Sequence, residues 1–109
     1  MTLGERLREL RLGARIGLRD VARRTDISPT YLSRIETSDE KTPSEEVIER
    51  LADYLGADRD ELMRLAGRIP SDVRKMLLED AGLVTFLRDV RARGLRSADL
   101  RIQRATRKP

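Results

Sequence analysis

A short polar segment carries the side chains of this sequence that are best suited to bind another molecule. The segment reads ISPTYLSRIE, residues 27–36, and its only aliphatic residues are Ile27, Leu32 and Ile35. In a helix that begins at Pro29, Leu32 and Ile35 lie three residues apart on one face. The opposite face of that helix would carry Thr30, Ser33, Arg34 and Thr37.

Hydroxyl groups and a guanidinium on a short convex helix face suit the major groove of B-DNA. An arginine can donate two hydrogen bonds to O6 and N7 of guanine, and hydroxyls pair with several base edges. The Ser28 hydroxyl and the free N–H groups of the helix start suit a phosphate. The alternative interpretation is an ordinary solvated helix face. The neighbouring elements decide between the two, because only a helix held in a fixed frame can read DNA.

The composition excludes several classes of protein chemistry. The chain has 109 residues and contains no Cys, His or Trp, so it lacks thiol nucleophiles, imidazole bases and the usual zinc ligands. We expect no enzymatic activity, no cofactor and no metal site. Residues 1–10 carry charges where a signal peptide needs an apolar run, and no stretch approaches a membrane span. We therefore expect a cytoplasmic protein that does not enter a membrane.

Basic and acidic residues are unevenly distributed along the chain. There are 23 Lys and Arg against 19 Asp and Glu, and the pI is about 10.1. Residues 1–36 carry a net charge of +3, residues 37–67 of −5, and residues 68–109 of +6. Two basic regions thus flank an acidic one, a balance that permits binding to nucleic acid without proving it.

Five helices are predicted for the first two thirds of the chain. Apolar residues recur three and four positions apart, Ser, Thr or Asp stands before four of the helices, and Gly follows several of their ends. The predicted helices run from the cap Thr2 to between Gly13 and Gly17, over 18–25, over 29–36, from the cap Ser44 to Gly56, and from Asp58 to Gly67. No alternating strand pattern is present, so the sequence predicts an all-α fold.

The remainder of the chain is predicted to add two more helices and a basic tail. One helix restarts at Pro70 and Ser71, and the next is capped by Asp80 and closed by Gly94. From Arg96 the sequence is rich in arginine and poor in apolar residues, which predicts a flexible tail or a marginal helix. The expected domains are 1–67 for the DNA-binding part, 68–95 for a C-terminal helical extension and 96–109 for the tail.

The order of helix, tight turn and polar-faced helix resembles a known family. The segment LRDVARRTDISPTYLSRIE, residues 18–36, is similar to the helix-turn-helix of the phage Cro/C1 repressor type, also called the XRE family. LADYLGADRDELMRLAG, residues 51–67, is similar to its fourth and fifth helices. The resemblance covers about residues 2–67 and implies a five-helix Cro/C1 repressor-like DNA-binding domain, here with additional C-terminal helices.

The resemblance also implies roles for individual residues. The second helix of the motif, called the recognition helix, lies against the bases in this family. The resemblance therefore implies base contacts for Pro29, Thr30, Ser33 and Arg34. Ser28 and Tyr31 would touch the DNA backbone. Gly17 and Leu18 stand where many relatives carry phosphate-binding side chains. We expect further backbone contacts from Lys41, Thr42, Arg19 and Arg24.

Two residues far apart in the sequence are implied to form a structural pair. The family joins an arginine late in the first helix to the glutamate that closes the recognition helix. Arg11 and Glu36 stand at these positions. The pair would hold the recognition helix at its docking angle.

An apolar stripe in the C-terminal extension is predicted to bind a second chain. Its members recur at helical spacing and are Val73, Met76, Leu77, Val84, Phe86, Leu87 and Val90. The alternative is that these residues fold back onto the first five helices. A five-helix domain of this type already closes its own core, so we prefer homodimerisation. Two copies would place two recognition helices about 34 Å apart, one turn of DNA.

The sequence therefore predicts a transcriptional regulator that binds double-stranded DNA. Its preferred form is a dimeric repressor that reads a near-palindromic operator through residues 28–36. The alternative is an adaptor or antitoxin-like protein whose C-terminal helices bind a different protein, with DNA binding secondary.

Overall fold

The computed structural model describes residues 1–39 and 41–100, and these contain seven α-helices, one 3₁₀-helix and no strand. The helices are α1 Leu3–Gly13, α2 Leu18–Arg24, α3 Pro29–Glu36, α4 Glu45–Leu55, α5 Arg59–Leu65, α6 Ser71–Glu79 and α7 Ala81–Ala92, followed by the 3₁₀-helix Ser97–Asp99. The predicted all-α fold is confirmed. Most of the predicted tail, residues 101–109, lies outside the described residues.

The helix starts form where the sequence predicts caps. Thr2 and Glu5 form a reciprocal capping box, in which the Glu5 N–H donates to Thr2 Oγ1 over 3.1 Å and the Thr2 N–H donates to Glu5 Oε1 over 2.9 Å. The side chains of Ser28, Ser44 and Asp58 each accept a backbone N–H from the first turn of the helix that follows. These starts depend on local sequence, which explains why they could be predicted.

Glycines follow the ends of α4 and α5, whereas α2 and α3 end without one. Gly56 takes a left-handed φ of 72° after α4, and Gly67 takes 71° after α5. Helix α2 ends at Arg24, one residue before the predicted end. Thr25 is its cap instead, because the next residue, Asp26, leaves the helix with a φ of 59°.

The hydrophobic core lies in a first compact unit, Met1–Ser71. Each of the first five helices contributes at least two buried residues to it. The buried apolar side chains are Leu3, Leu7, Val21, Ala22, Leu32, Ile35, Ile48, Leu51, Ala52, Leu62 and Met63. Helix α3 therefore rests on a packed scaffold and contributes Leu32 and Ile35 to it.

The first turn of α1 lies directly against the C-terminal end of α3. Gly4 is buried there, and a Cβ atom at this position would collide with the backbone carbonyls of Ile35 and Glu36. Only a glycine permits this close approach of the two backbones. Gly4 thus helps to set the distance between α1 and α3, a role that was not predicted from the sequence.

A second unit begins at Asp72 and contains most of α6 and all of α7. The Asp80 side chain caps α7 by accepting the Gly82 N–H over 2.9 Å, and Gly94 lies beyond the helix end with a φ of 72°. Both predicted helices of the extension are therefore present. No side chain of either helix is buried.

Candidate nucleic-acid interface

The start of α3 presents hydrogen-bond donors to solvent. The Ser28 Oγ accepts the Tyr31 N–H over 3.0 Å, which leaves the Ser28 hydroxyl proton able to donate to another group. Pro29 occupies the first helical position, where a missing N–H costs nothing. The Thr30 N–H has no acceptor within the described part of the chain. This end of α3 can therefore donate hydrogen bonds to an anionic oxygen.

The two faces of α3 differ sharply in exposure. Leu32 and Ile35 are only 1% and 4% exposed, and they pack into the core. On the opposite face Thr30, Ser33 and Arg34 are exposed. Pro29 and Tyr31 are half-buried, and Tyr31 packs against the core. The structure thus brings the four residues predicted to contact bases onto one short helix, three of them exposed to solvent.

The hydroxyl of Thr37 is exposed but forms hydrogen bonds within the chain. Thr37 caps the end of α3, and its Oγ1 donates to the backbone carbonyl of Ser33 over 3.1 Å. The same oxygen lies 3.2 Å from Asp39 Oδ2. Although Thr37 continues the polar face of the helix, these contacts make its hydroxyl less available to a ligand than that of Thr30.

The turn between α2 and α3 has the geometry of a Schellman motif. The Ile27 N–H donates to Ala22 O over 3.0 Å, and the Asp26 N–H donates to Arg23 O over 3.3 Å. The Thr25 side chain is buried, and its hydroxyl donates to Val21 O over 2.7 Å. The backbone carbonyl of Thr25 accepts a hydrogen bond from Arg50 Nε on α4 over 2.9 Å.

The far end of α3 is fixed by an ion pair with α1. Arg11 Nε and Nη2 donate to the two carboxylate oxygens of Glu36, each over 2.9 Å. Arg11 Nη1 also lies 3.4 Å from Ile16 O, in the connection between α1 and α2. The hydrogen bond to Glu36 raises the pKa of Arg11 above its ordinary value, so the guanidinium stays charged. The pair that the family resemblance implies is thus in contact.

The arginines of α2 are not equivalent. Arg23 Nη2 pairs with Asp20 Oδ1 over 2.7 Å on the exposed surface. Arg19 and Arg24 are exposed and form no ion pair with the described residues. The two predicted backbone contacts on α2 therefore keep their guanidinium groups available.

An arginine that follows α5 donates hydrogen bonds to the backbone of the loop after α3. Lys41 and Thr42, both predicted backbone contacts, are exposed. Arg68 Nε donates to Pro43 O over 2.6 Å, and Arg68 Nη2 donates to Thr42 O over 3.3 Å. Arg68 is separated from this loop by 25 residues, and nothing in its local sequence indicates the contact.

The apolar residues of the second unit remain accessible. Val73, Met76, Phe86 and Leu87 are exposed, Phe86 and Met76 by 50% and 52%. The other members of the predicted stripe, Leu77, Val84 and Val90, are half-buried. The stripe thus leaves several apolar side chains in contact with water.

Comparison with known proteins agrees with this geometry. The family model described as a helix-turn-helix domain matches residues 2–65. The chain belongs to the helix-turn-helix domain family. Its motif is formed by α2, the turn at Asp26 and α3, and the other three helices of the first unit support the motif. Among proteins with curated descriptions, none matches the chain.

Two solved structures are similar to the chain, and both are described as the clp gene regulator ClgR from Corynebacterium glutamicum. The first is 31% identical to this chain, with a TM-score of 0.51. The match covers 60% of this chain and 83% of the chain of that structure. The second is 27% identical, with a TM-score of 0.53. The match covers 81% of this chain and 85% of the chain of that structure. Together with the family match, these likenesses support a DNA-binding transcription regulator.

The described residues contain neither a membrane-spanning helix nor a cluster of metal-binding side chains. In residues 1–39 and 41–100, no helix is long and apolar enough to cross a bilayer. The same residues contain no group of three or more acidic side chains arranged to hold a metal ion.

Proposed function

We propose that this helix-turn-helix protein is a transcriptional regulator of the Cro/C1 type that binds double-stranded DNA through α3. Thr30, Ser33 and Arg34 contact base edges, and Pro29 packs against them at the helix start. Ser28 and Tyr31 contact the DNA backbone. The helix-turn-helix family match and the similarity to a gene regulator support this function.

The observation that carries the proposal is the division of α3 into a buried and a polar face. The helix is short and its apolar side chains are used by the core, so its exposed polar face projects from a rigid support. An α-helix fits the major groove, where base pairs present distinct patterns of donors and acceptors. Arg34 can bind guanine with two hydrogen bonds, which makes it the main candidate for sequence discrimination.

Backbone contacts complete the proposed interface. Arg19 and Arg24 lie on α2, and Lys41 and Thr42 lie in the loop after α3, so the two groups flank α3 in the sequence. All four are exposed. Each phosphate neutralised by a cation releases counterions, and the affinity then falls steeply with salt. These side chains supply affinity and register, whereas α3 supplies specificity.

We further propose that the protein acts as a homodimeric repressor. The apolar stripe of α6 and α7 supports dimerisation, because none of its side chains is buried within one chain. A two-fold dimer with recognition helices about 34 Å apart matches a near-palindromic operator. Occupying such a site blocks polymerase or a neighbouring activator, a mechanism that involves no covalent step.

A second candidate function uses the same exposed stripe differently. In the adaptor or antitoxin-like interpretation, α6 and α7 bind a different protein and DNA binding is secondary. The unburied apolar side chains favour this candidate as much as they favour a dimer. A purified chain that stays monomeric at micromolar concentration, and that gains a stable partner only from a second polypeptide, would support it.

Selection from random DNA tests the proposed function. The purified 109-residue chain is mixed with a pool of random duplexes at physiological salt, and the bound fraction is amplified and sequenced over several rounds. We expect an enriched motif with two-fold symmetry and half-sites about 10 base pairs apart. An enriched motif without two-fold symmetry would contradict the proposed dimer but not sequence-specific DNA binding. A pool that stays random would contradict sequence-specific DNA binding.

A further inference from the structure

In the turn that precedes α3, the carbonyl of Thr25 accepts its hydrogen bond from a side chain of another helix. In the Schellman geometry, Ala22 O and Arg23 O accept the N–H groups of Ile27 and Asp26. Val21 O accepts from both the N–H and the hydroxyl of Thr25. The carbonyl of Thr25 is not part of this network. Its hydrogen-bond donor is Arg50 Nε, which lies on α4 and is 25 residues away.

We propose that Arg50 is a positioning residue of the DNA interface. Its guanidinium fixes the turn between α2 and α3 to α4 and so sets the angle at which α3 leaves α2. This inference rests on the proposed function, because the angle matters only if α3 docks on DNA. It concerns a residue outside the helix-turn-helix motif itself.

The chemistry of the contact favours a firm attachment. A guanidinium that donates to a carbonyl forms a charge-assisted hydrogen bond, which is stronger than one between neutral groups. The positive charge also lies at the C-terminal end of α2, where the helix dipole is negative. Arg50 Nη1 also lies 3.7 Å from Glu46 Oε1 one turn earlier on α4, but the Glu46 side chain is 82% exposed, so water screens this contact and the bond to Thr25 does not depend on it.

The turn needs such an attachment because its backbone is unfavourable. Asp26 has a φ of 59°, in the left-handed region that residues other than glycine adopt uncommonly. Such a conformation persists only where its surroundings hold it. Arg50 secures the turn before α3, and Arg11 secures the end of α3 through Glu36. The recognition helix is therefore held at both ends by arginines from two other helices.

Three variants separate positioning from simple charge. Arg50→Met removes the hydrogen bond and one positive charge. Arg64→Met is the matched control, since Arg64 is exposed on α5 and its side chain does not contact the turn within the described part of the chain. Glu46→Gln removes the neighbouring carboxylate and leaves the bond to Thr25 in place. Each variant is first checked for folding by circular dichroism and thermal unfolding.

Amide hydrogen exchange tests whether Arg50 holds the turn. In Arg50→Met we expect the amides of Asp26 and Ile27 to exchange about tenfold faster, which is the effect of losing one charge-assisted hydrogen bond. The amides of α5 should keep the wild-type rate, and Arg64→Met and Glu46→Gln should leave the turn unchanged. Wild-type exchange at Asp26 and Ile27 in Arg50→Met would overturn the proposal.

DNA binding tests whether the turn positions α3. On the duplex selected from the random pool, we expect Arg50→Met to raise the Kd about tenfold, with an unchanged slope of log Kd against log salt. On a scrambled duplex it should match Arg64→Met. An equal loss on both duplexes, with a slope reduced by about one, would make Arg50 a phosphate contact and overturn the proposal.

The two readouts distinguish failure of this inference from failure of the proposed function. A wild-type chain that prefers no duplex contradicts the proposed function, and the DNA role of Arg50 falls with it. The exchange rates do not involve DNA, so they still decide whether Arg50 fixes the turn. Faster exchange without any loss on the selected duplex would overturn the positioning role while the proposed function stands.

Discussion

Arg11 and Glu36 join the end of α1 to the end of α3 through two parallel hydrogen bonds of 2.9 Å. Their side chains are only 11% and 4% exposed, so the charges are largely removed from water. A pair in this setting stabilises the fold only while both partners are present, because either charge alone would be buried without compensation. Because of this ion pair, the orientation of α3 depends on Arg11 in the last turn of α1, as well as on the contact that α3 makes with Gly4 in the first turn.

Removing one member of this pair should destabilise the protein. We expect Arg11→Met to lower the free energy of unfolding by about 3–5 kcal/mol, the usual cost of leaving a buried charge unpaired. The double variant Arg11→Met with Glu36→Leu should lose less than Arg11→Met alone. Urea denaturation followed by circular dichroism measures both. The control is Arg23→Met, which breaks an exposed pair and should cost less than about 1 kcal/mol. Equal losses in Arg11→Met and Arg23→Met would contradict the account.

Two glycines of α1 should respond in opposite ways to alanine. At Gly4 a Cβ would meet the backbone of Ile35 and Glu36, so Gly4→Ala should destabilise the protein by about 1–3 kcal/mol despite the better helix propensity of alanine. At Gly13 a Cβ would meet nothing within 4 Å. Gly13→Ala should therefore be neutral or stabilising by up to about 1 kcal/mol. Thermal unfolding of the two variants measures the difference, and a tolerated Gly4→Ala would refute the close approach.

The ion pair between Asp53 and Arg59 should make stability depend on acid pH. Hydrogen bonds of 2.9 and 2.6 Å from Arg59 lower the pKa of Asp53 below its ordinary value. A lowered folded-state pKa gives a stabilisation that is present above the ordinary pKa and disappears as the pH falls through the lowered one. Wild-type protein should therefore exceed Asp53→Asn in melting temperature at pH 7.

The same comparison at acid pH completes the test. The difference between wild type and Asp53→Asn should shrink toward zero as the pH falls below the ordinary range of an aspartate. It should be small at every pH because water screens an exposed pair. Arg59→Gln should behave similarly, and the double variant should lose little more than either single one. A difference that grows with acid would have the wrong sign.

Charges placed on the apolar stripe should break the proposed dimer. Phe86→Glu and Met76→Glu put a carboxylate onto exposed apolar positions of α7 and α6, and burial of that charge in an interface is costly. We expect both variants to sediment as monomers. Thr85→Glu adds the same charge at an exposed polar position of α7 and should leave the dimer intact. Unchanged sedimentation of Phe86→Glu and Met76→Glu would move the dimer interface elsewhere.

Much of the fold could be predicted from local sequence. The starts of α1, α3, α4 and α5 follow from a capping side chain that bonds the helix immediately after it. The all-α class follows from apolar residues at helical spacing. The contact of Arg11 with Glu36 followed from resemblance to a family, since no local pattern links two residues 25 positions apart.

The missed residues act through contacts between distant segments. Arg50 and Arg68 donate to backbone carbonyls, which every residue carries, so the sequence around the acceptor gives no signal. Gly4 was detectable in part. A glycine within a capped first helical turn costs helix stability and often marks a close approach of another backbone. Exposure of the stripe on α6 and α7 also needed the structure, since core packing and partner binding use the same apolar pattern.

The most direct test of the central claim is the binding of Arg34→Ala to single-base-pair variants of the selected duplex. Fluorescence anisotropy at physiological salt measures each Kd, and Arg64→Ala serves as the control for loss of one charge. If Arg34 reads a base, the variant loses discrimination at one base pair in each half-site, worth about 1–3 kcal/mol, while its affinity for a scrambled duplex matches the control. If Arg34→Ala weakens binding to every duplex equally, Arg34 does not read bases and the proposed recognition by α3 is contradicted.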